Sequence, residues 1–282
     1  MVSNRTPLIS FSLLITILAT PVFGVTYQDL KYPGATKTSA MGINNLGQVV
    51  GFYQASAGPH GFLYSSGQYK TVDDPGTSGD EAIGINDAGD IVGLFVDANS
   101  HTHGYLDQNG IFTGIDFPGA VSTFPWGINN GGQIVGFYMD AGGKTHGFEL
   151  GSGAYSTIDA PSSLATEVFK ISTIGDIAGL YNDLQNNQHG FVLKSGAFHK
   201  VDHPNSLYTE AYGINKGDRV VGTYMDPATG KVAGFLFVRG QFSNVVFPGS
   251  STNFPYAIND GGVIAGTWID SFGNEDGFMA TP

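Results

Sequence analysis

Gly127-Ile128-Asn129-Asn130-Gly131-Gly132-Gln133-Ile134-Val135-Gly136-Phe137-Tyr138, then Thr145-His146-Gly147-Phe148-Glu149-Leu150, then Tyr155-Ser156-Thr157-Ile158-Asp159-Ala160-Pro161: the architecture can be read from this one segment. It holds three strand-like runs separated by turns rich in Gly, Asn and Ser. Its apolar period is two rather than 3.6, which reads as strand and not helix. Everything from Val25 to Pro282 is this unit again, with small changes.

Four signatures keep step along the chain. Gly-Ile-Asn starts at Gly42, Gly84, Gly127, Lys170 (as Lys-Ile-Ser), Gly213 and Ala257, at intervals of 42, 43, 43, 43 and 44 residues. An apolar pair followed by Gly ends at Gly51, Gly93, Gly136, Gly179, Gly222 and Gly266. His-Gly-aromatic begins at His60, His103, His146 and His189, and continues as Ala233-Gly-Phe and Asp276-Gly-Phe. A last strand ends at Pro33, Pro75, Pro118, Pro161, Pro204 and Pro248. Chance does not align four signatures six times.

Before each Gly-Ile-Asn, small and large residues alternate, as in Ala82-Ile83-Gly84-Ile85 and Ala211-Tyr212-Gly213-Ile214. That is a buried strand with one nearly bare face, against which a neighbouring sheet can lie closely. Asn44 to Gly47, Asn86 to Gly89 and Asn129 to Gly132 read as hairpin turns, with Asn tolerating and Gly supplying positive φ. Ser-Gly or Asn-Gly turns lead into the fourth strand. Four antiparallel strands per unit of about 43 residues is the blade period of a β-propeller, so the expected fold is all-β with six blades.

The first proline strand, Val25 to Gly34, precedes the first Gly-Ile-Asn, and the chain ends after a third strand. Pairing the two completes the last blade, closes the ring and removes two exposed edges. Internal covariation agrees. His60 and Asp73, His103 and Asp116, His146 and Asp159, and His189 and Asp202 are each 13 residues apart. The fifth unit carries Ala233 and Val246 instead, and in the sixth Asp276 meets Lys31 of the N-terminal strand. These read as cross-strand pairs, since a four-residue loop such as Ser65 to Gln68 sets residues 60 and 73 opposite.

Gly-Ile-Asn-x-x-Gly-x-Ile-Val-Gly, then His-Gly-Phe, then Pro-Gly resembles the bacterial extracellular HAF repeats, named for a His-Ala-Phe triplet. Here Gly stands in place of the Ala, and units five and six lose the His. The resemblance covers essentially all of 25–282. It implies a secreted or cell-surface bacterial protein and lends no catalytic residue.

Bulk properties narrow the classes. Residues 1–24 read as a secretory signal peptide, with Arg5 first, an apolar run from Leu8 to Ala19 and a cut after Gly24. The run is short for a membrane span, and the rest of the chain has no comparable stretch. There is no cysteine, which excludes disulfides, thiolate metal sites and a lipidated cysteine. The formal net charge of −12 disfavours nucleic acid and anionic lipid. The 42 glycines among 282 residues, about twice the usual share, fit short strands and tight turns.

A site is expected where inner strands converge and the repeat breaks its own symmetry. Six residues beyond each proline stand Ser39, Glu81, Phe124, Glu167, Glu210 and Phe254. One residue earlier stand Thr38, Asp80, Thr123, Thr166, Thr209 and Asn253. One channel mouth is therefore expected to carry Asp80, Glu81, Glu167 and Glu210, with Phe124, Trp126 and Phe254. Carboxylates beside aromatics suit a sugar, a Ca²⁺ ion or acid/base chemistry. The alternative is that they are solvated strand ends and packing aromatics.

The four His invite a metal, but copies lying roughly 10 Å outside the inner strands cannot converge on one ion. A His–Asp–Thr triad using Thr123, Thr166 or Thr209 is needed once, not repeatedly. His199 and His203 read as surface residues. Asp97, Asp140, Asp183, Asp226 and Asp270 read as turn residues, with Asp270, Asn274 and Asp276 the one candidate Ca²⁺ loop. The expectation is a secreted, monomeric, non-catalytic binding module for a glycan or protein, without a required cofactor. The alternative is an extracellular glycoside hydrolase or lyase using Glu81, Glu167 and Glu210.

Overall fold

The turns between third and fourth strands follow directly from their dipeptides. Ser66-Gly67, Asn109-Gly110, Ser152-Gly153, Ser195-Gly196 and Arg239-Gly240 each place two successive residues at positive φ, between 50° and 87°. This is the two-residue turn whose twist matches that of the strands it joins. In the first copy it pairs Ser65 with Gln68 and sets the ladder that follows.

The computed structural model describes residues 25–56, 58–74, 77 and 79–282. The expected leader, residues 1–24, and Pro75 lie outside the described residues. The chain opens with β1 (Thr26–Leu30). Blade 1 is β2 (Lys37–Ile43), β3 (Val49–Ala55), β4 (Gly58–Ser65) and β5 (Gln68–Val72). Blade 2 is β6 (Glu81–Ile85), β7 (Ile91–Val96), β8 (Thr102–Gln108) and β9 (Ile111–Ile115). Blade 3 is β10 (Ser122–Ile128), β11 (Ile134–Met139), β12 (Thr145–Gly151) and β13 (Ala154–Ile158). Blade 4 is β14 (Ser163–Ile171), β15 (Ile177–Asp183), β16 (Gln188–Lys194) and β17 (Ala197–Lys200). Blade 5 is β18 (Thr209–Ile214), β19 (Val220–Asp226), β20 (Lys231–Val238) and β21 (Gln241–Val245). Blade 6 takes β22 (Thr252–Ile258), β23 (Ile264–Ile269) and β24 (Glu275–Thr281) from the C-terminus. Its outer strand is β1, so the sheet order is β1-β24-β23-β22.

The ring is thus a six-bladed β-propeller of four-stranded antiparallel blades, closed by the two ends of the chain. Thr26 faces Thr281 and Leu30 faces Gly277 across the closing ladder. One residue further, Lys31 Nζ lies 2.8 Å from Asp276 Oδ2. Among the described residues no helix is long and apolar enough to cross a membrane.

Packing between blades depends on the small faces. A Cβ at Gly104 would lie 2.5 Å from the Pro125 ring of the next blade, and one at Gly147 would lie 2.7 Å from Val168. The aromatic that follows each of these glycines points the other way, into the core. Phe62, Tyr105, Phe148, Phe191, Phe235 and Phe278 are almost wholly buried. Each apolar cluster spans two blades, for example Val92 and Ile115 of blade 2 with Ile128, Ile134 and Phe148 of blade 3. The residue before the loop proline often extends this contact. Tyr32 stacks on Tyr53, Phe117 on Tyr138 and His203 on Tyr224, with centroids 3.5–3.7 Å apart.

The Asn of Gly-Ile-Asn has a different role from the one expected. Positive φ at these hairpins belongs to Gly47, Gly89, Gly132, Gly175 and Gly262, and to Asp218 in blade 5. The Asn side chain caps the turn and ties neighbouring blades together. Asn44 Oδ1 accepts the N–H groups of Leu46 and Gln48, and its Nδ2 donates to the carbonyl of Asn86 (3.0 Å). Asn86 reaches Asn129, Asn215 reaches Asn259 and Asn259 reaches Asn44 in the same way. A buried amide fully used on both ends rigidifies what it joins.

Candidate functional site

All six inner strands carry a β-bulge. The register slips between Ala40 and Gly42, Ala82 and Gly84, Pro125 and Gly127, Val168 and Lys170, Ala211 and Gly213, and Pro255 and Ala257. The residues left without a cross-strand partner are Met41, Ile83, Trp126, Phe169, Tyr212 and Tyr256. A bulge re-aims its side chain and frees its backbone groups. Four of these side chains form a continuous aromatic belt. Trp126 to Phe169, Phe169 to Tyr212 and Tyr212 to Tyr256 are 4.9, 5.0 and 5.1 Å between centroids.

The two ends of the axis differ. At the hairpin end, Ile43, Ile85, Ile128, Ile171, Ile214 and Ile258 ring the channel, with Asn45, Asp87, Asn130, Thr173 and Asp260 beyond them. These polar residues largely satisfy one another. Asn45 and Asn130 both donate to Asp87, and Thr173 and Asn45 both donate to Asp260.

Between the ends sits Lys170, at the position that is Gly in four units and Ala in one. Its Nζ donates to the carbonyls of Ile83 (2.7 Å) and Trp126 (2.5 Å), the bulge residues of blades 2 and 3. It also stands 5.9 Å above the Trp126 ring. Burial alone pushes its amine down to about 7.

The other mouth carries the carboxylates. Two residues before each bulge residue stand Ser39, Glu81, Phe124, Glu167, Glu210 and Phe254, as the sequence places them. Glu81 and Glu167 are half-buried, and among the described residues neither side chain receives a hydrogen bond. Burial pushes both carboxyl groups up to about 7, with the charge of Glu210 adding to the effect on Glu167. Glu210 is held differently. It accepts from Gln188 Nε2 (2.7 Å), the Tyr212 hydroxyl (2.5 Å) and Thr223 Oγ1 (2.8 Å). Glu275 of β24 takes the Ser39 hydroxyl (2.8 Å) and Lys37 Nζ (3.2 Å). Phe124 stacks on Phe137 of its own blade at 4.6 Å, and Phe254 lies parallel to Tyr256 at 6.0 Å. Among the described residues the buried Trp126 indole N–H has no partner.

Asp80, expected at this mouth, is buried in its own loop and presents no free carboxylate there. Thr77 Oγ1 donates to both of its oxygens (2.8 and 2.7 Å). Its counterparts explain the position. Thr38, Thr123, Thr166 and Thr209 accept the backbone N–H of Tyr32, Phe117, Ala160 and His203, each six residues upstream, and so brace the proline loop. Thr123, Thr166 and Thr209 are spent on this brace rather than on a His–Asp pair.

The four His sit on the third strands, against Asp73, Asp116, Asp159 and Asp202 at 2.8–3.0 Å. In blades 2 to 4 the second ring nitrogen faces another carboxylate, Asp97, Asp140 or Asp183, at 3.3–3.5 Å. These loop aspartates are also turn caps, held below the ordinary carboxylate range by hydrogen bonds. The main one comes from the His101 N–H for Asp97, the Lys144 N–H for Asp140 and the Asn187 amide for Asp183. Asp270 has the same job, taking the N–H of Phe272 and Asn274 and the Asn274 amide. Asp276 gives its Oδ2 to Lys31, and its Oδ1 is buried without a partner among the described residues. Among the described residues no group of three or more His, Asp or Glu is arranged to hold a metal.

Lys170, Glu275, Tyr212 and Tyr256 escaped the sequence reading of the mouth. Lys170 was visible as the Lys-Ile-Ser mismatch. The tyrosines share an inner strand with the candidates, and the bulge that turns them leaves no mark in a single sequence.

No protein-family model and no curated protein matches the sequence. Solved structures do resemble it in fold. TolB from Acinetobacter baumannii superposes with a TM-score of 0.60 at 11% identity, over 83% of this chain and 63% of that one. The chain therefore spans less than two thirds of that TolB. AofleA from Arthrobotrys oligospora gives 0.55 at 12% identity, covering 91% and 86%. The Aleuria aurantia lectin in complex with Fucα1-6GlcNAc gives 0.54 at 9% identity, covering 89% and 93%. At such identities the likeness is one of architecture.

Proposed function

We propose that the protein is a secreted, non-catalytic binding module of the HAF-repeat kind, and that its ligand is a carbohydrate seated at the mouth bearing Glu81, Glu167 and Glu210. One observation carries this. At one end of the axis, where the repeat breaks its own symmetry, two half-buried carboxyl groups have no protein donor among the described residues and lie beside an aromatic belt. The opposite end is tied up in its own hydrogen bonds. Carboxylate acceptors next to aromatic faces complement the hydroxyls and C–H faces of a sugar ring. The Aleuria lectin, a six-bladed ring, supports the reading only in showing that the architecture carries sugar recognition in another protein. The test is a glycan array on residues 25–282, with and without Ca²⁺, repeated with Glu167→Gln. Retention that falls at least tenfold in the variant supports the proposal, and no retained glycan overturns it.

A second reading rests on the same two groups. Carboxyls raised to about 7 are part protonated and part ionised near neutral pH, which suits a general acid and base. Under this reading a polysaccharide incubated with the protein yields product, with a bell-shaped pH–rate profile that Glu81→Gln or Glu167→Gln abolishes. Retention without product favours the binder.

A further inference from the structure

We infer that the binding surface does not stop at the axial mouth but continues into a polar cleft over the seam of blades 4 and 5. This cleft takes a second unit of the same polyhydroxylated ligand, so that the preferred ligand is an oligosaccharide. The inference rests on the carbohydrate reading of the mouth.

The cleft has a volume of about 370 Å³ and is lined by Asn187, Gln188, Asp202, Asn205, Ser206 and Tyr208, among others. It is joined to the mouth by one hydrogen bond, since Gln188, on its wall, donates to Glu210 at 2.7 Å. Tyr208 is near enough for the Glu210 charge to raise its phenol, after burial has done most of the raising. A ligand reaching from Glu167 past Glu210 meets this cleft next.

The walls retain polar capacity that the fold does not use. Among the described residues, neither the Asn205 amide nor the Tyr208 hydroxyl has a hydrogen-bond partner, and Gln188 spends only its amino group. The Asn205 and Gln188 amides and the Tyr208 phenol together offer donors and acceptors to vicinal hydroxyls. Leu207, 64% exposed, supplies an apolar edge.

The loop also departs from the repeat in sequence. It reads Pro204-Asn205-Ser206-Leu207-Tyr208, where other units have Pro33-Gly34-Ala35-Thr36-Lys37, Pro118-Gly119-Ala120-Val121-Ser122 and Pro161-Ser162-Ser163-Leu164-Ala165. Asn205 therefore stands where four units have Gly and one has Ser162, and Tyr208 where the others have a small or charged residue. Asn205 keeps the left-handed backbone of those glycines, at φ 60° against 81° for Gly34 and 83° for Gly119. A non-glycine residue there gives up some backbone comfort for a side chain.

The experiment is calorimetric titration of residues 25–282 with cello-, xylo- and manno-oligosaccharides of one to six units. The proteins are wild type, Asn205→Gly, Tyr208→Ala and Glu167→Gln, with circular dichroism to confirm folding. Asn205→Gly restores the residue that four of the other five units carry, so it preserves the loop. The expected result is that wild type binds the best series at least tenfold more tightly as it lengthens past one unit. Asn205→Gly and Tyr208→Ala should remove most of that gain while changing monosaccharide affinity less than twofold. Equal losses on monomer and oligomer, or none, overturn the cleft. If Glu167→Gln alone abolishes binding, the mouth stands and the cleft falls. If no sugar binds wild type, both fall.

Discussion

Lys170 is the residue at which this ring most departs from its own repeat. An ammonium held by two carbonyls on two other blades is a strut, and it is a costly one because it lies out of water. Its folded value of about 7 lies below the ordinary 10.5. Between those values the unfolded chain binds more protons, so stability rises with pH across that window and the cost is greatest below it. Urea unfolding at pH 7 and pH 9.5 should show wild type gaining stability relative to Lys170→Met. A constant difference between the two proteins would contradict the buried-ammonium assignment. Glu81 and Glu167 act with the opposite sign. Their folded values of about 7 lie above the ordinary 4.5, so their favourable contribution is complete below pH 4.5 and is lost as pH rises through 7. Glu81→Gln and Glu167→Gln should therefore be more stable than wild type at pH 8 and gain nothing at pH 4.5. Residues that weaken the fold at working pH are those expected at a site kept for a ligand.

Within a blade, the recurring Asn and Gly set the geometry. Asn44→Ala removes two acceptor bonds at its turn and the amide bond to blade 2, and should cost about 2 kcal/mol. The glycine after the apolar pair is stricter. A Cβ at Gly136 would lie 2.0 Å from the Phe124 carbonyl oxygen, so Gly136→Ala must displace backbone and should cost about 3 kcal/mol or more. Gly131→Ala, whose Cβ meets no backbone but only the side chains of Asn129 at 3.2 Å and Gln133 at 3.8 Å, is the near-neutral control. Chemical denaturation of the three variants ranks them, and equal losses would mean that the close approach is not what selects Gly136. These elements were legible in the chain because each is local. Two-residue turns, alternating faces and the 13-residue spacing of His60 and Asp73 all follow from hairpin geometry. What was not legible was the bulge at Ile83 or Trp126. It depends on how six inner strands crowd the axis, and no propensity within one strand reports that.

For the whole molecule, closure is the decisive event. A chain beginning at Ala35 lacks β1 and leaves the edge of β24 unpaired and the core around Leu30 and Phe278 uncovered. Compared with a chain beginning at Val25, its melting temperature should fall by more than about 10 °C, and it should self-associate through the open edge. Equal melting curves would refute closure by the ends. Counting along the chain was enough for the number of blades, their phase and the partner of each third-strand His. Those follow from a repeat whose contacts lie within a hairpin or between ends that must meet. The count also ranked Glu81, Glu167 and Glu210 as departures from the repeat. It took the assembled ring to show that Asp80 is a loop brace, that Lys170 reaches through the channel to blades 2 and 3, and that among the described residues Glu81 and Glu167 lack donors whereas Glu210 has three. Burial and partnership arise where strands from different blades converge, and a position in one repeat does not reveal what the other five bring to meet it.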